Sequence, residues 1–474
     1  MKINLFRLSL LFFLSGSAGL IYEVVWTRLF TDILGSTVVS MHAVFSVFLL
    51  ALASGAYFIG RIPIYGIKAL RLYGVLEFAI GISALLSSGL LFYGKSWIAI
   101  NIPTWNSFAA VLLCNSLATA ALIGVPAFLM GGTLPVILNA AQGWASPREV
   151  VAQIYGWNTL GAACGTLAAG FFLIWKLGLT KTLSVAIGLN LLVGLIAIIF
   201  ARLALPETLF RQSAEKEEPK GFKRVSENLV WLIITFLSGF SVLAYEMLWG
   251  RIAKFLLGDR TIAISALLFI FITCLGLGSL ASPAVQRLVG AKSRRQTLIL
   301  ICFLFLSAAF LHLISVPLAR SAIMGHGLGA FIPLPNEFVR RILTVWLLVS
   351  PPVFILGLVF PLIARTLVGF NERPGRIIGR LYFVNTAGAV IGAGIACFAL
   401  SRWIGTLGGF LAVTVFLGAI SALLLFFQGT KPWQKGVAIV AVVVLTLACY
   451  SFPLSFIELK NDEKEKAEHN MLVD

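Results

Sequence analysis

Two acidic side chains lie inside long apolar segments of this 474-residue chain: Glu23 in LSGSAGLIYEVVWTRLF (14–30) and Glu246 in LSGFSVLAYEMLWGRIA (237–253). A charged group at mid-bilayer costs about 2.5–3.5 kcal/mol even on the gentler insertion scales, so such residues face a bundle interior or a wet cavity. Tyr22 and Trp26 are four residues apart on one helical face, and Trp26 is three from Glu23. The second segment repeats the set as Tyr245, Glu246 and Trp249. A carboxylate beside two aromatic rings suits an ammonium group, through charge and cation–π attraction. Two structural roles compete with that chemistry. An arginine from a neighbouring helix can pair with each glutamate; Arg28, about 140° around the same helix, is poorly placed to do so. A protonated glutamate can instead bond to backbone.

Further polar groups lie in other apolar segments. Glu77, in LRLYGVLEFAIG, has no acidic counterpart at 296–306, which suits a function needing one such group; pairing with Arg71 is the alternative. Asn158 and Asn385 sit in IYGWNTLGAACG (154–165) and LYFVNTAGAVIG (381–392), where an amide binds either a neighbouring helix or a solute. Gly161/Gly165 and Gly388/Gly392 have the GxxxG spacing of close helix contacts. Pro126, Pro135, Pro352 and Pro361 can kink or break their spans, as a hinge or as a static bend. The substrate-binding set expected from these patterns is Glu23, Glu246, Tyr22, Tyr245, Trp26, Trp249, Asn158, Asn385 and Glu77. No catalytic or metal-ligating cluster emerges. The four histidines are scattered, the aspartates (Asp32, Asp259, Asp462, Asp474) do not group, and the six cysteines lie in apolar stretches without a CxxC pair. No glycine fingerprint for a nucleotide appears, and no cofactor is expected.

The elements that must hold these residues follow from composition. The chain is 59% hydrophobic and 12% charged, about half the charge of a soluble domain. Apolar runs of about 20 residues recur along nearly its whole length, and in lipid such runs must be helices. Spans are expected near 8–30, 38–60, 70–93, 108–140, 152–175, 180–202, 229–251, 262–285, 296–317, 340–366, 379–400 and 406–427. A thirteenth run, 434–452, either spans or lies along the surface. The N-terminal segment has signal-peptide features, but its recurrence in mid-chain marks it as a retained helix.

The duplication is extensive. Tyr22, Glu23, Trp26, Arg28 and Gly35 recur 223 residues later as Tyr245, Glu246, Trp249, Arg251 and Gly258. Pro126 and Pro135 match Pro352 and Pro361 at an offset of 226, and the two NT-x-GA blocks match at 227. The domains expected are a first six-helix repeat (1–202), a charged linker (203–228), a second repeat (229–430), and an extra run with a charged tail (431–474). An even number of spans between copies makes the repeat parallel, the architecture of major facilitator transporters. The fold class is therefore an all-α polytopic membrane protein of two parallel six-helix repeats. Lys and Arg divide 22 to 11 between the N-terminal side and the opposite side, with three in the tail. The positive-inside rule places the N-terminus in the cytoplasm and the chain in the cell (inner) membrane. The net charge of +17 lies largely in these loops, so nucleic acid is not expected as a partner.

The YE-x-x-W-x-R helix, LGLGSLAS at 275–282, PAFLMGGTLP at 126–135 and the Y-x-x-NT-x-GA helix resemble the membrane half of the fused major-facilitator/spermidine-synthase family. The resemblance covers about residues 8–430. Members often append a soluble aminopropyltransferase-like domain. About 20 residues follow the last apolar run here, too few for that fold, so synthase activity is not expected of this polypeptide. The resemblance does not define a transport substrate; a small cationic or amphipathic solute, of which a polyamine is one example, suits the paired glutamates, and a separately encoded synthase-like protein is the partner that the resemblance suggests. The functions expected are transport of a small cationic solute by alternating access or, alternatively, service as a membrane subunit or scaffold for such an enzyme.

Overall fold

The computed structural model describes residues 4–34, 38–101, 108–142, 147–203, 224–257, 261–323, 336–368, 374–428 and 431–451. Gly35, Gly258, most of the charged linker (204–223) and the tail from 452 lie outside the described residues. Helices α1 (Leu5–Leu34), α2 (Val38–Ile59), α3 (Gly66–Asn101), α4 (Phe108–Ala140), α5 (Pro147–Leu167) and α6 (Ile174–Leu203) precede the linker. After it come α7 (Arg224–Leu257), α8 (Thr261–Leu288), α9 (Arg294–Ile323), α10 (Glu337–Val368), α11 (Pro374–Gly394), the single turn α12 (Ser401–Trp403), α13 (Gly405–Gln428) and α14 (Pro432–Ser451).

Among the described residues, 11 stretches are long and apolar enough to cross a bilayer. One of them, Glu149–Leu203, has 55 residues, about 80 Å of helix, far more than one crossing needs. It breaks at Gly178, where φ is 73°. That conformation carries no penalty for a residue without Cβ. Beyond the break α6 returns to pack on α3 and α1, so the stretch supplies two crossings, which makes twelve among the described residues. The second copy repeats the device at Gly405, with φ 71°. A π-helical turn precedes each break, Ala168–Leu173 and Ile395–Leu400. Both features keep the 227-residue offset of the NT-x-GA blocks. The prolines behave differently: α4 continues through Pro126 and Pro135, and α10 through Pro351, Pro352 and Pro361. The discontinuities in this chain are glycine breaks. Trp175 and Trp403, 80% and 74% exposed, stand beside them, as aromatic anchors at a membrane–water interface do.

Each half packs the same way. α1 lies along α5, α2 along α4 and α3 along α6; α7 lies along α11, α8 along α10 and α9 along α13. Between halves, α5 packs on α8 and α2 on α11, with α4 against α11 and α5 against α10. The GxxxG glycines let backbones touch. A Cβ on Gly161 would stand 1.9 Å from the Phe13 carbonyl oxygen, and one on Gly165 would stand 2.2 Å from that of Ser17. Gly388 and Gly392 meet Phe236 and Phe240 at 2.1 and 2.2 Å in the same way. Ser17 Oγ donates to the Gly161 carbonyl at 2.9 Å. α14 adds a helix against α13, with Trp433 stacked on Phe303.

Gly161→Val must push α1 off α5. The expected loss is about 3 kcal/mol, a fall of roughly 3 °C in the unfolding midpoint of the detergent-solubilised 474-residue protein. Gly188→Ala, which meets nothing within 4 Å, leaves the midpoint within about 1 °C. Equal losses in the two variants would show that the close contact carries no special weight.

Candidate functional site

α1 presents two faces. Tyr22, Val25, Trp26 and Leu29 are buried, whereas Leu20, Glu23, Val24, Thr27 and Arg28 form a half-buried stripe. α7 repeats both: Tyr245, Leu248, Trp249 and Ile252 are buried, and Leu243, Glu246, Met247, Gly250 and Arg251 are half-buried. The glycine contacts with α5 and α11 fix these rotations. Glu246 lies within electrostatic range of Glu23. Among the described residues neither carboxyl has a salt-bridge partner. The structural ion pair that competes with a binding role is not formed there.

Two tyrosines join this centre. Tyr382 of α11 is within range of both Glu23 and Tyr155 of α5. Phe360 of α10 stands beside them, its ring 5.0 Å from Tyr155 and 6.4 Å from Tyr382. Tyr155 and Tyr382 are absent from the substrate-binding set expected from sequence. The available signal was their recurrence as the tyrosines of the two Y-x-x-NT blocks. A narrow crevice borders Glu23, lined also by Trp26, Thr27, Val44, Phe45, Phe48 and Ile123.

Other expected site residues sit elsewhere. Of the aromatic rings, Trp26 lines the crevice beside its glutamate, whereas Tyr22, Tyr245 and Trp249 pack away from theirs. Neighbouring helix positions are about 100° apart, and Tyr22, Trp26, Tyr245 and Trp249 are fully buried inside their own halves. Tyr22 stacks on Trp26 with centroids 5.0 Å apart. Tyr245 stacks on His312 at 3.5 Å, and its hydroxyl bonds that of Thr414 at 3.0 Å. Trp249 meets Phe410 edge-on at 5.4 Å. Of the four rings, Trp26 also borders the crevice. Asn158 and Asn385 lie over Gly16 and Gly239, and Asn385 Nδ2 donates to the Thr235 carbonyl at 3.1 Å. That amide ties α11 to α7.

Glu77 occupies a separate niche between α1, α3 and α6. It is fully buried. Ser15 Oγ donates to Oε1 at 2.6 Å, and Asn190 Nδ2 donates to Oε2. Arg71 is not its partner. Among the described residues, no group of three or more His, Cys, Asp or Glu side chains is placed to hold a metal ion.

The central arrangement can attract cations. At an effective dielectric constant of about 20, unit charges 4 Å apart interact by about 4 kcal/mol. Two carboxylates without a countercharge add their fields, and the tyrosines offer hydroxyls and ring faces.

No protein-family model matches the chain. Part of it is similar to two curated Streptomyces coelicolor proteins. Polyamine aminopropyltransferase 1 is 26% identical over 202 residues, 41% of this chain and 34% of that protein. Polyamine aminopropyltransferase 2 is 28% identical over 191 residues, 39% and 33% respectively. The chain thus spans about a third of the length of these relatives. Among solved structures, it is similar to crystal structures of a bacterial homologue of the iron transporter ferroportin in an outward-facing state. The one with soaked iron has a TM-score of 0.55 and the other 0.56, each at 15% identity, covering 91% of this chain and 100% of theirs. At that identity the likeness speaks to fold alone. Twelve apolar crossings, the duplicated packing and this likeness make the chain an all-helical polytopic membrane protein with a major-facilitator-like fold.

Proposed function

We propose that the chain moves a small cationic solute, a polyamine, across the cell (inner) membrane by alternating access, with its N-terminus in the cytoplasm. One observation carries this reading. Glu23 and Glu246, from equivalent helices of two parallel halves, are partly buried, lie within range of each other, and have no basic partner among the described residues. A solute with two ammonium groups supplies the missing charges, one to each carboxylate. Tyr155 and Tyr382 then flank its alkyl chain and hydrogen-bond its nitrogens. The partial similarity to proteins named polyamine aminopropyltransferases supports the polyamine class. The two-to-one division of Lys and Arg supports the orientation.

A second reading has its own support. The matched relatives extend well beyond the aligned third, which fits a membrane subunit working with a separate aminopropyltransferase.

Proteoliposomes should accumulate labelled putrescine or spermidine. Glu23→Gln and Glu246→Gln should each lower kcat/KM at least about tenfold, equivalent to about 1.4 kcal/mol. Unchanged uptake in both variants removes the assigned role. In a chain without native cysteines, Lys2→Cys should react with an impermeant maleimide only after cells are opened; labelling of intact cells reverses the orientation. Under the second reading, a soluble aminopropyltransferase should co-purify with the detergent-solubilised chain at equal stoichiometry. Its absence from the purified material, with uptake intact, leaves the transport reading alone.

A further inference from the structure

The niche around Glu77 is chemically distinct from the central pair. The carboxyl is 0% exposed, and the side chains acting on it are Ser15, Asn190 and Tyr73, all uncharged. A carboxylate in such a place needs a countercharge, and the described chain brings no basic group to it. Polar atoms gather beyond those two hydrogen bonds. The Tyr73 hydroxyl stands beside both Glu77 and Ser15, and Tyr22 lies within electrostatic range. The Tyr22 and Tyr73 hydroxyls and Asn190 Oδ1 are buried with no well-formed hydrogen bond. Unsatisfied buried polar atoms are rare, and a group of them calls for a ligand.

We propose that this niche binds one sodium-sized monovalent cation. Three features select it. A proton would neutralise the carboxylate but engage one acceptor and leave the other oxygens orphaned. A water molecule would serve the orphans and leave the charge. A hard cation gathers the lone pairs of several oxygens at once, as oxygen-rich cation sites do, and a single carboxylate matches a single positive charge. Glu77 contributes its carboxylate, and Ser15 Oγ and the two tyrosine hydroxyls contribute neutral oxygens. Asn190 completes the set by turning its amide, because the oxygen and nitrogen ends have nearly the same size. Among the described residues the second half holds no equivalent: there His312 of α9 stacks on Tyr245, and no carboxyl is described beside it. One site per chain follows. Ser15 and Tyr22 share α1 with Glu23, so cation binding and the central carboxyl act on one rigid helix.

The test is binding of ²²Na⁺ to the purified full-length chain in detergent, with no organic solute present, so the result does not depend on the transport reading. Saturable binding at one ion per chain, displaced by unlabelled Na⁺, is expected. Glu77→Gln should abolish it, while Ser15→Ala and Tyr73→Phe should weaken it several-fold with the gel-filtration profile unchanged. If Glu77→Gln fails to fold, the wild-type stoichiometry and the two milder variants decide. A folded wild-type chain that binds no ²²Na⁺ overturns the proposal in favour of a proton or water. Binding that all the variants retain overturns it as well.

Discussion

The backbone contact between α1 and α5, duplicated between α7 and α11, is the constraint on which the rest depends. Where a Cβ would be, Gly161 and Gly165 meet carbonyl oxygens of α1, and Gly388 and Gly392 meet those of α7. Helices in lipid gain nothing from burying one apolar side chain against another rather than against acyl chains; close packing and hydrogen bonds hold them instead. A contact this close fixes rotation as well as distance. It turns Tyr22 and Trp26 into the first half and Glu23 toward the second, and α11 does the same for Tyr245, Trp249 and Glu246.

From that rotation comes a division of labour between neighbouring residues. The aromatic pair and the glutamate are adjacent in sequence, yet they serve different regions. The rings fill each half's interior, where Phe48, Phe410 and His312 surround them. The carboxyls are left at the seam with Tyr155 and Tyr382.

The halves are alike in backbone and unlike in one buried group. Both use a π-helical turn followed by a left-handed glycine to turn the chain, and both pair their helices in the same order. On the third helix of each half, however, Glu77 faces Ser15 and Asn190, whereas His312 faces Tyr245. Duplication preserved the contacts that set helix geometry. It left the chemistry of the interior niches free to differ.

The sequence by itself determined the number and placement of the spans, the duplication, and which helices carry acidic groups. These are properties of composition and of residues matched at a fixed offset, and lipid leaves an apolar run little choice but a helix. Gly161 and Gly165 were legible as packing glycines because their spacing is a local feature. Tertiary structure alone decided which side of each helix faces the seam. A helix with apolar residues all around carries no polar stripe to reveal its inward face. That is why the rings next to Glu23 and Glu246 suggested a wall, although Tyr22, Tyr245 and Trp249 pack into the core and Trp26 alone of the four also borders the crevice at Glu23. It is also why Tyr382, distant in sequence from both glutamates, came into range of Glu23, with Tyr155 beside it, only when the helices met. The partners of Glu77 were hidden for the same reason: Ser15 and Asn190 lie 62 and 113 residues from it in the chain, and no local pattern links groups joined only by folding.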